Sequence, residues 1–397
     1  MFIAHNNRGD VISLIGLDRH TARKLKMDGP YFCPACGEAV ILKAGSVRVP
    51  HFAHMNRCPV KPEGETPRHL TGKRVLFQWF IRQGYRPQLE WYIPDIQQRP
   101  DLMIEHDGRS FAVEFQVSPI SVKELLTRTK AYLARNIFPL WFVDRAHIRE
   151  RGVLGLNDFL AFFIQTIPSG IPSLYSFDPE KRMFTVYTNI IPYTSQRAFY
   201  DRKVFSIHTD VKTLFTWHPL SLSFFDRWLP AVEQWLVNLT IAPAAHKHPF
   251  LHYLYKHQIH PLQLPPEVGL PVPGLYVMKT PPFIWQGYLW HYFFFMKGAG
   301  RSFTLAEVEQ FLFGKLRRKI QKRIVAASWQ NPERKSPVEH YLQILCELGL
   351  LTKKENRYFL VKEARLIQNP NRNRKALLND FYRRYKGKIL RTFLLTK

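Results

Sequence analysis

Between residues 99 and 118 apolar and polar positions alternate with a period of two on either side of Asp107-Gly108. This pattern predicts a β-hairpin closed by a two-residue turn. In the second strand Phe111, Val113 and Phe115 fall on one face and Glu114 and Gln116 on the other, because strand side chains repeat every two residues. Asp101 opens the first strand six positions before the turn, and Glu114 lies six positions after it. Around the hairpin the period lengthens. Thr66 and Pro67 start a helical pattern carrying Leu70, Phe77 and Ile81 near one face, and Gly84 ends it. "RPQLEWYI" (86–93) reads as a strand, residues 121–136 as a second helix, and "FPLWFVD" as an inner strand. The order helix, three strands, helix, strand predicts a mixed α/β layer.

The flanks read differently. Residues 1–60 hold short strands around the turn "NRGD" and a short basic helix, "DRHTARKLKM". Past residue 170 one strand is legible in "FTVYTNIIPY", then a helix from Ser221 interrupted near Pro230, then a proline-rich loop over 261–274. Helical patterns return over 281–298, over 304–324 with Thr304 and Glu307 as a capping box, and over 336–348. Gly349 and a hairpin around "KKEN" follow, an outline that suits a winged helix, and then a basic tail. The expected architecture is α+β and multidomain. It has a β-rich lobe (1–60), a mixed α/β core (61–170), an aromatic-rich connecting region (171–280) and a basic, mainly helical domain (281–397).

Charge narrows the partner. Lys and Arg number 57 against 31 Asp and Glu, a formal charge of +26, and residues 301–397 carry 23 against 8, or +15. An excess of this size suits a polyanion, nucleic acid first. No apolar run is long enough for a membrane span, the start lacks a secretory pattern, and four cysteines make no disulfide framework. The expected location is the cytoplasm.

Three groups of residues are candidates to carry chemistry. Cys33, Cys36 and Cys58, with His54 or else His51, have the spacing of a closed Cys₃His zinc site, whose role would be structural because no position is left for water. Glu65, His69 and Lys73 recur every four residues along the first long helix, a polar row that also suits a plain solvated face. Asp101 and Glu114 supply hard oxygen ligands of the kind Mg²⁺ or Mn²⁺ needs for phosphodiester cleavage.

Pro100-Asp101 and Glu114-x-Gln116 resemble the PD-(D/E)xK nuclease core, with Gln where Lys is usual. "CPACGEAV", "HFAH", Glu65-x3-His69-x3-Lys73, "RPDL", "VEFQVSPIS" and Arg128-x3-Tyr132 resemble, in that order, the competence protein CoiA family. The resemblance covers residues 1–170. It implies a restriction-endonuclease-like core with Asp101 and Glu114 on the Mg²⁺ or Mn²⁺ ion and Gln116 orienting the attacking water. Glu65 would be a further ligand or an outer acid, and His69 or Lys73 would neutralise the phosphate. It also implies a metal-dependent nuclease processing single-stranded or branched DNA in natural transformation, beside a RecA-type recombinase. The rival expectation is a non-catalytic DNA-binding scaffold, since Gln116 brings no positive charge to the water.

Overall fold

The structure, a computed structural model, describes every residue except 47, 57, 59–64, 168, 218, 220–223, 297, 299, 300 and 395–397. The chain forms two compact units. The first holds residues 1–148, 162–187 and 202–217, and the second residues 149–161, 188–201 and 218–397.

The first unit begins with five antiparallel strands, β1 (Ile3–Asn6), β2 (Val11–Ser13), β3 (Tyr31–Phe32), β4 (Ala39–Lys43) and β5 (His51–His54), in the order β2-β1-β3-β4-β5. Helix α1 (Arg19–Leu25) starts at Asp18, whose carboxylate accepts the Thr21 N–H. Phe2, Leu14, Tyr31, Leu42 and Phe52 form the small core.

Helix α2 (Pro67–Arg82) begins as its sequence dictates, with the Thr66 hydroxyl accepting the His69 N–H and Pro67 in the first turn. Then come β6 (Gln88–Leu89), β7 (Leu102–His106), β8 (Arg109–Gln116), α3 (Val122–Leu133), β9 (Ile137–Asp144), β10 (Leu154–Gly155), α4 (Asp158–Phe162), β11 (Leu174–Asp178), β12 (Met183–Pro192), β13 (Arg197–Ser206) and α5 (Val211–Thr216), of which β10, α4 up to residue 161 and the parts of β12 and β13 within 188–201 fall in the second unit. The sheet order is β10-β13-β12-β11-β9-β8-β7-β6, with β8–β9 and β9–β11 parallel. The sheet therefore continues beyond residue 170, where the sequence pattern becomes faint.

The β7–β8 hairpin turns at Asp107-Gly108, both at positive φ (48° and 71°), as a mirror-image two-residue turn requires. Leu102 pairs with Val113, and the same register sets Asp101 across from Glu114. Phe111, Val113 and Phe115 pack with Val75, Leu76 and Trp79 of α2 in one core. Gly72 lets α2 come this close: a Cβ there would stand 2.2 Å from the Phe115 ring. The strand expected over 86–93 is only two residues long. Glu90 takes a left-handed φ of 52° and ends it, for a reason that lies in the site.

In the second unit α6 (Phe225–Ile241) runs unbroken through Pro230. The proline sits in the second turn and removes a single ladder bond. Residues 221–223, where the pattern would begin this helix, lie outside the described residues. After α7 (Pro249–Lys256) the stretch 261–274 is no linker. Leu264, Val268, Leu270 and Val272 are buried, and the Gln286 side chain accepts the Gly269 and Leu270 N–H groups and donates to the Leu270 carbonyl. Helix α8 (Pro282–Leu289) continues as π-helix through Met296. Lys297, inside the expected helix, lies outside the described residues. Strand β14 (Ser302–Thr304) leads into α9 (Leu305–Glu309), which opens with the Thr304–Glu307 capping box and ends in a π-turn at Lys315. Beyond it Lys315, Arg317, Arg318, Lys319, Lys322 and Arg323 would repel one another at helical spacings, which opposes the longer helix expected. Helices α10 (Ala327–Gln330) and α11 (Pro337–Glu347), strands β15 (Leu351–Lys354) and β16 (Arg357–Leu360), and α12 (Pro370–Leu394) complete the unit, with a sheet ordered β14-β16-β15. Phe250, Leu270, Trp285, Phe303, Tyr341 and Phe393 share one core, so the division expected at residue 280 runs through it. Among the described residues no helix is long and apolar enough to cross a membrane.

Candidate active site

Strands β3–β5 bring Cys33, Cys36, His54 and Cys58 together, with one donor atom of each within 4.8 Å of the others. Cys36 Sγ lies 3.3 Å from His54 Nε2 and 3.8 Å from Cys58 Sγ. His51 is directed elsewhere, its Nδ1 2.8 Å from the Val49 carbonyl. Burial, with Cys33 and Cys58 alongside, pushes the Cys36 thiol up to about 12. Burial, and then Arg99, lowers His54, favouring the neutral imidazole a metal needs. Three sulfurs and one imidazole nitrogen fit a structural zinc ion, which would displace the thiol protons.

The second cluster is Glu65, His69 and Asp101, whose donor atoms also lie within 4.8 Å of one another. Asp101 is buried, and its Oδ2 is 2.9 Å from His69 Nε2 and accepts the Phe115 N–H at 2.9 Å. Lys73, one turn beyond His69, is fully buried and donates to Glu65 Oε1 at 2.6 Å and to Glu90 Oε1. Burial opposes its charge, but Glu65, Glu90 and Asp101 outweigh that and raise its pKa. The Met1 α-ammonium stands 2.7 Å from Glu65 Oε2.

Glu90 escaped the sequence reading. Its Oε2 accepts the Phe2 and Ile3 N–H groups at 2.8 and 3.1 Å, and its own N–H donates to the Asp101 carbonyl. These contacts hold the left-handed backbone that ends β6. The only signal in the sequence was an acid between apolar neighbours in a strand pattern.

Glu114 takes different partners. Its Oε1 accepts from the Arg128 guanidinium and, at 2.6 Å, from the Tyr132 hydroxyl, both on α3. Burial works against the Arg128 charge, and Glu114 overrides it and raises its pKa. Gln116 donates its side-chain amide to the Ser118 carbonyl at 2.5 Å. Among the described residues, then, the donor cluster at Asp101 is completed by Glu65, just before α2, and by His69 of α2, while Glu114 is held by α3. The Arg128-x3-Tyr132 spacing is one helical turn gripping one carboxylate.

The buried centre is close to neutral by itself. Glu65, Glu90, Asp101 and Glu114 face the Met1 ammonium, Lys73, Arg99 and Arg128. Burial opposes the Arg99 charge, and Glu90 and Glu65 raise its pKa nonetheless.

Three family models match the chain: the N-terminal domain of competence protein CoiA over residues 14–61, its nuclease-like domain over 65–219 and its C-terminal domain over 225–372. Competence protein CoiA of Bacillus subtilis (strain 168) is 27% identical over 341 residues, which span 84% of this chain and 90% of that protein. No solved structure matches the chain significantly. The middle match holds Glu65, His69, Lys73, Glu90, Asp101 and Glu114 together, and with the flanking matches it places the chain in the competence protein CoiA family.

Proposed function

We propose that the nuclease-like domain is a divalent-metal-dependent DNA-processing phosphodiesterase of the PD-(D/E)xK type, and that a basic second unit of winged-helix outline helps to hold its DNA. The reading is carried by the convergence of Glu65, His69 and Asp101 within 4.8 Å. Two carboxylates and an imidazole fit Mn²⁺ or Mg²⁺, with the nitrogen donor favouring Mn²⁺. Such an ion, when bound, polarises a phosphoryl oxygen and lowers the pKa of water.

The chain's own residues do the rest. Asp101 is fixed by the Phe115 N–H, and Lys73 fixes Glu65 from behind. His69 stands beside Asp101, placed to be a ligand or to take a proton from water. Gln116, tied to Ser118, can orient a water but cannot lower its pKa. Glu114 orders α3 against the sheet through Arg128 and Tyr132. The zinc cluster is structural in this reading.

The test is cleavage of single-stranded, duplex and branched DNA with Mn²⁺ and with Mg²⁺, wild type against Asp101→Asn. Loss of a metal ligand is expected to lower the rate by at least about 100-fold, and Mn²⁺ should support the faster reaction. A specific observation favours a second reading, a DNA-binding scaffold: four buried cations already balance four buried acids, which weakens the pull on a divalent ion. Wild-type protein that binds DNA but cuts none with either ion would decide for the scaffold, and an Asp101→Asn protein as active as wild type would remove the Asp101 cluster as the metal site.

A further inference from the structure

The second unit carries a connected strip of rings with a lysine at its end. Tyr253 of α7 and His257, just past its end, lie 4.9 Å apart between ring centroids, and His257 and His291 lie 4.5 Å apart. Phe295 stacks on His291 at 5.8 Å and 27°, and on Trp290 at 5.5 Å and 23°. At the other end the Lys319 ammonium sits 5.8 Å from the centroids of both the Tyr253 and Tyr288 rings. Phe295 is 40% exposed, and His257 and Lys319 are exposed too, so the strip presents both ring and charge to solvent.

Beneath the exposed end of the strip lies His291, buried and hydrogen-bonded. The Tyr253 hydroxyl lies 2.7 Å from His291 Nδ1, within hydrogen-bond distance. Burial, and then His257, lowers His291 to about 4, so it backs Phe295 as a buried, uncharged ring rather than as a cation. The charge comes from the segment that carries Lys319: residues 310–332 contain six Lys and Arg and no Asp or Glu. Lys315, Arg317, Arg318, Lys319 and Lys322 are exposed.

Exposed ring faces next to a one-signed stretch of cations match a polymer that offers both phosphates and unstacked bases. A duplex keeps its base faces inside the stack and offers only phosphates. We infer that the surface from Lys319 past Tyr253 and His257 to Phe295, backed by the buried His291, binds single-stranded DNA, with a base stacking on Phe295 and phosphates along residues 315–322. The choice of DNA over RNA rests on the proposed function above; the stacking chemistry is common to both.

Binding is measured by fluorescence anisotropy on the full chain with labelled oligothymidylate and no added divalent ion, so that a failure of the nuclease reading leaves the result standing. Phe295→Ala is expected to weaken binding about tenfold, and Phe295→Trp to restore it. Neither should change affinity for a duplex of equal length. Lys319→Gln, an exposed change outside regular secondary structure, should reduce the salt slope by about 0.7. Phe295→Ala binding as tightly as wild type, or losing as much on duplex or in competition with inorganic polyphosphate, would show a polyanion surface only and overturn the inference. Tighter binding of oligouridylate than oligothymidylate would overturn the assignment to DNA.

Discussion

Lys73 shows how a helix residue with a common spacing acquires a particular role. It is fully buried between Glu65 and Glu90, and removing one partner of such a group leaves uncompensated charge, at a cost of about 3–5 kcal/mol. Lys73→Met should therefore lower the stability at neutral pH by that amount in urea melts. The pH dependence follows from the two directions of shift. Burial disfavours the Glu90 charge, but Lys73 outweighs it and holds the pKa below its ordinary 4.5. Its contribution is present above that value and lost as pH falls through the lowered pKa. Lys73 is raised above 10.5, so its contribution is complete below that value and fades only as pH rises past it. Melting temperatures between about pH 4 and 8 should show the gap between wild type and Lys73→Met widest at the neutral end and narrowing in acid. A gap independent of pH would mean that packing, not charge, sets the loss. A residue-scale reading of sequence could find Glu65, His69 and Lys73 as a row, since helical spacing is local. It could not find Glu90, because the left-handed turn there depends on N–H groups 87 and 88 positions earlier in the chain.

At the scale of elements, the hairpin was legible because its alternation, its turn residues and its register all follow from local rules. The direction of Glu114 was not, since α3 supplies the partners that claim it. The contact between α2 and β8 leads to a further expectation. Gly72→Ala would drive a methyl group into the Phe115 ring, and overpacking of this kind costs about 1–3 kcal/mol. Because the Phe115 N–H holds Asp101, the same change should lower any metal-dependent cleavage. Pairing it with Phe115→Leu should recover much of the stability, as chemical denaturation would reveal; no recovery would place the strain elsewhere. In the N-terminal lobe, metal analysis should give about one zinc per chain, and Cys33→Ser should lower the melting temperature more than it lowers cleavage. A fully folded wild-type protein free of metal would remove the zinc assignment.

At the scale of the whole molecule, the net charge and its concentration in residues 301–397 were legible, and the core those residues help to build was not. The segment after the last hairpin reads as a basic tail in sequence, yet its Tyr382 and Phe393 belong, with Phe303, Leu312 and Tyr341, to the core of the second unit. Deleting 301–397 would unfold that unit rather than isolate a DNA-binding arm. The proline-rich stretch 261–274 looked like a linker for a related reason: the side chain of Gln286, which satisfies its backbone, comes from an element further along. Affinity for DNA should fall steeply with salt because each neutralised phosphate releases counterions. A flat salt dependence in filter binding would contradict a role for the +15 charge of residues 301–397.

The division of the chain has a consequence for how this protein can be inherited. Reading from the start, the backbone passes between the two units at residues 148, 161, 187, 201 and 217. No single crossover in a gene could lift out one unit whole. A fragment ending at residue 217 would carry 149–161 and 188–201 without the core they belong to, and a fragment beginning at 218 would lack them. Exchange with an unrelated partner is therefore blocked in a way that it is not for domains strung end to end. The nuclease-like and C-terminal parts are expected to travel through evolution together, gaining or losing activity as one gene rather than as interchangeable modules.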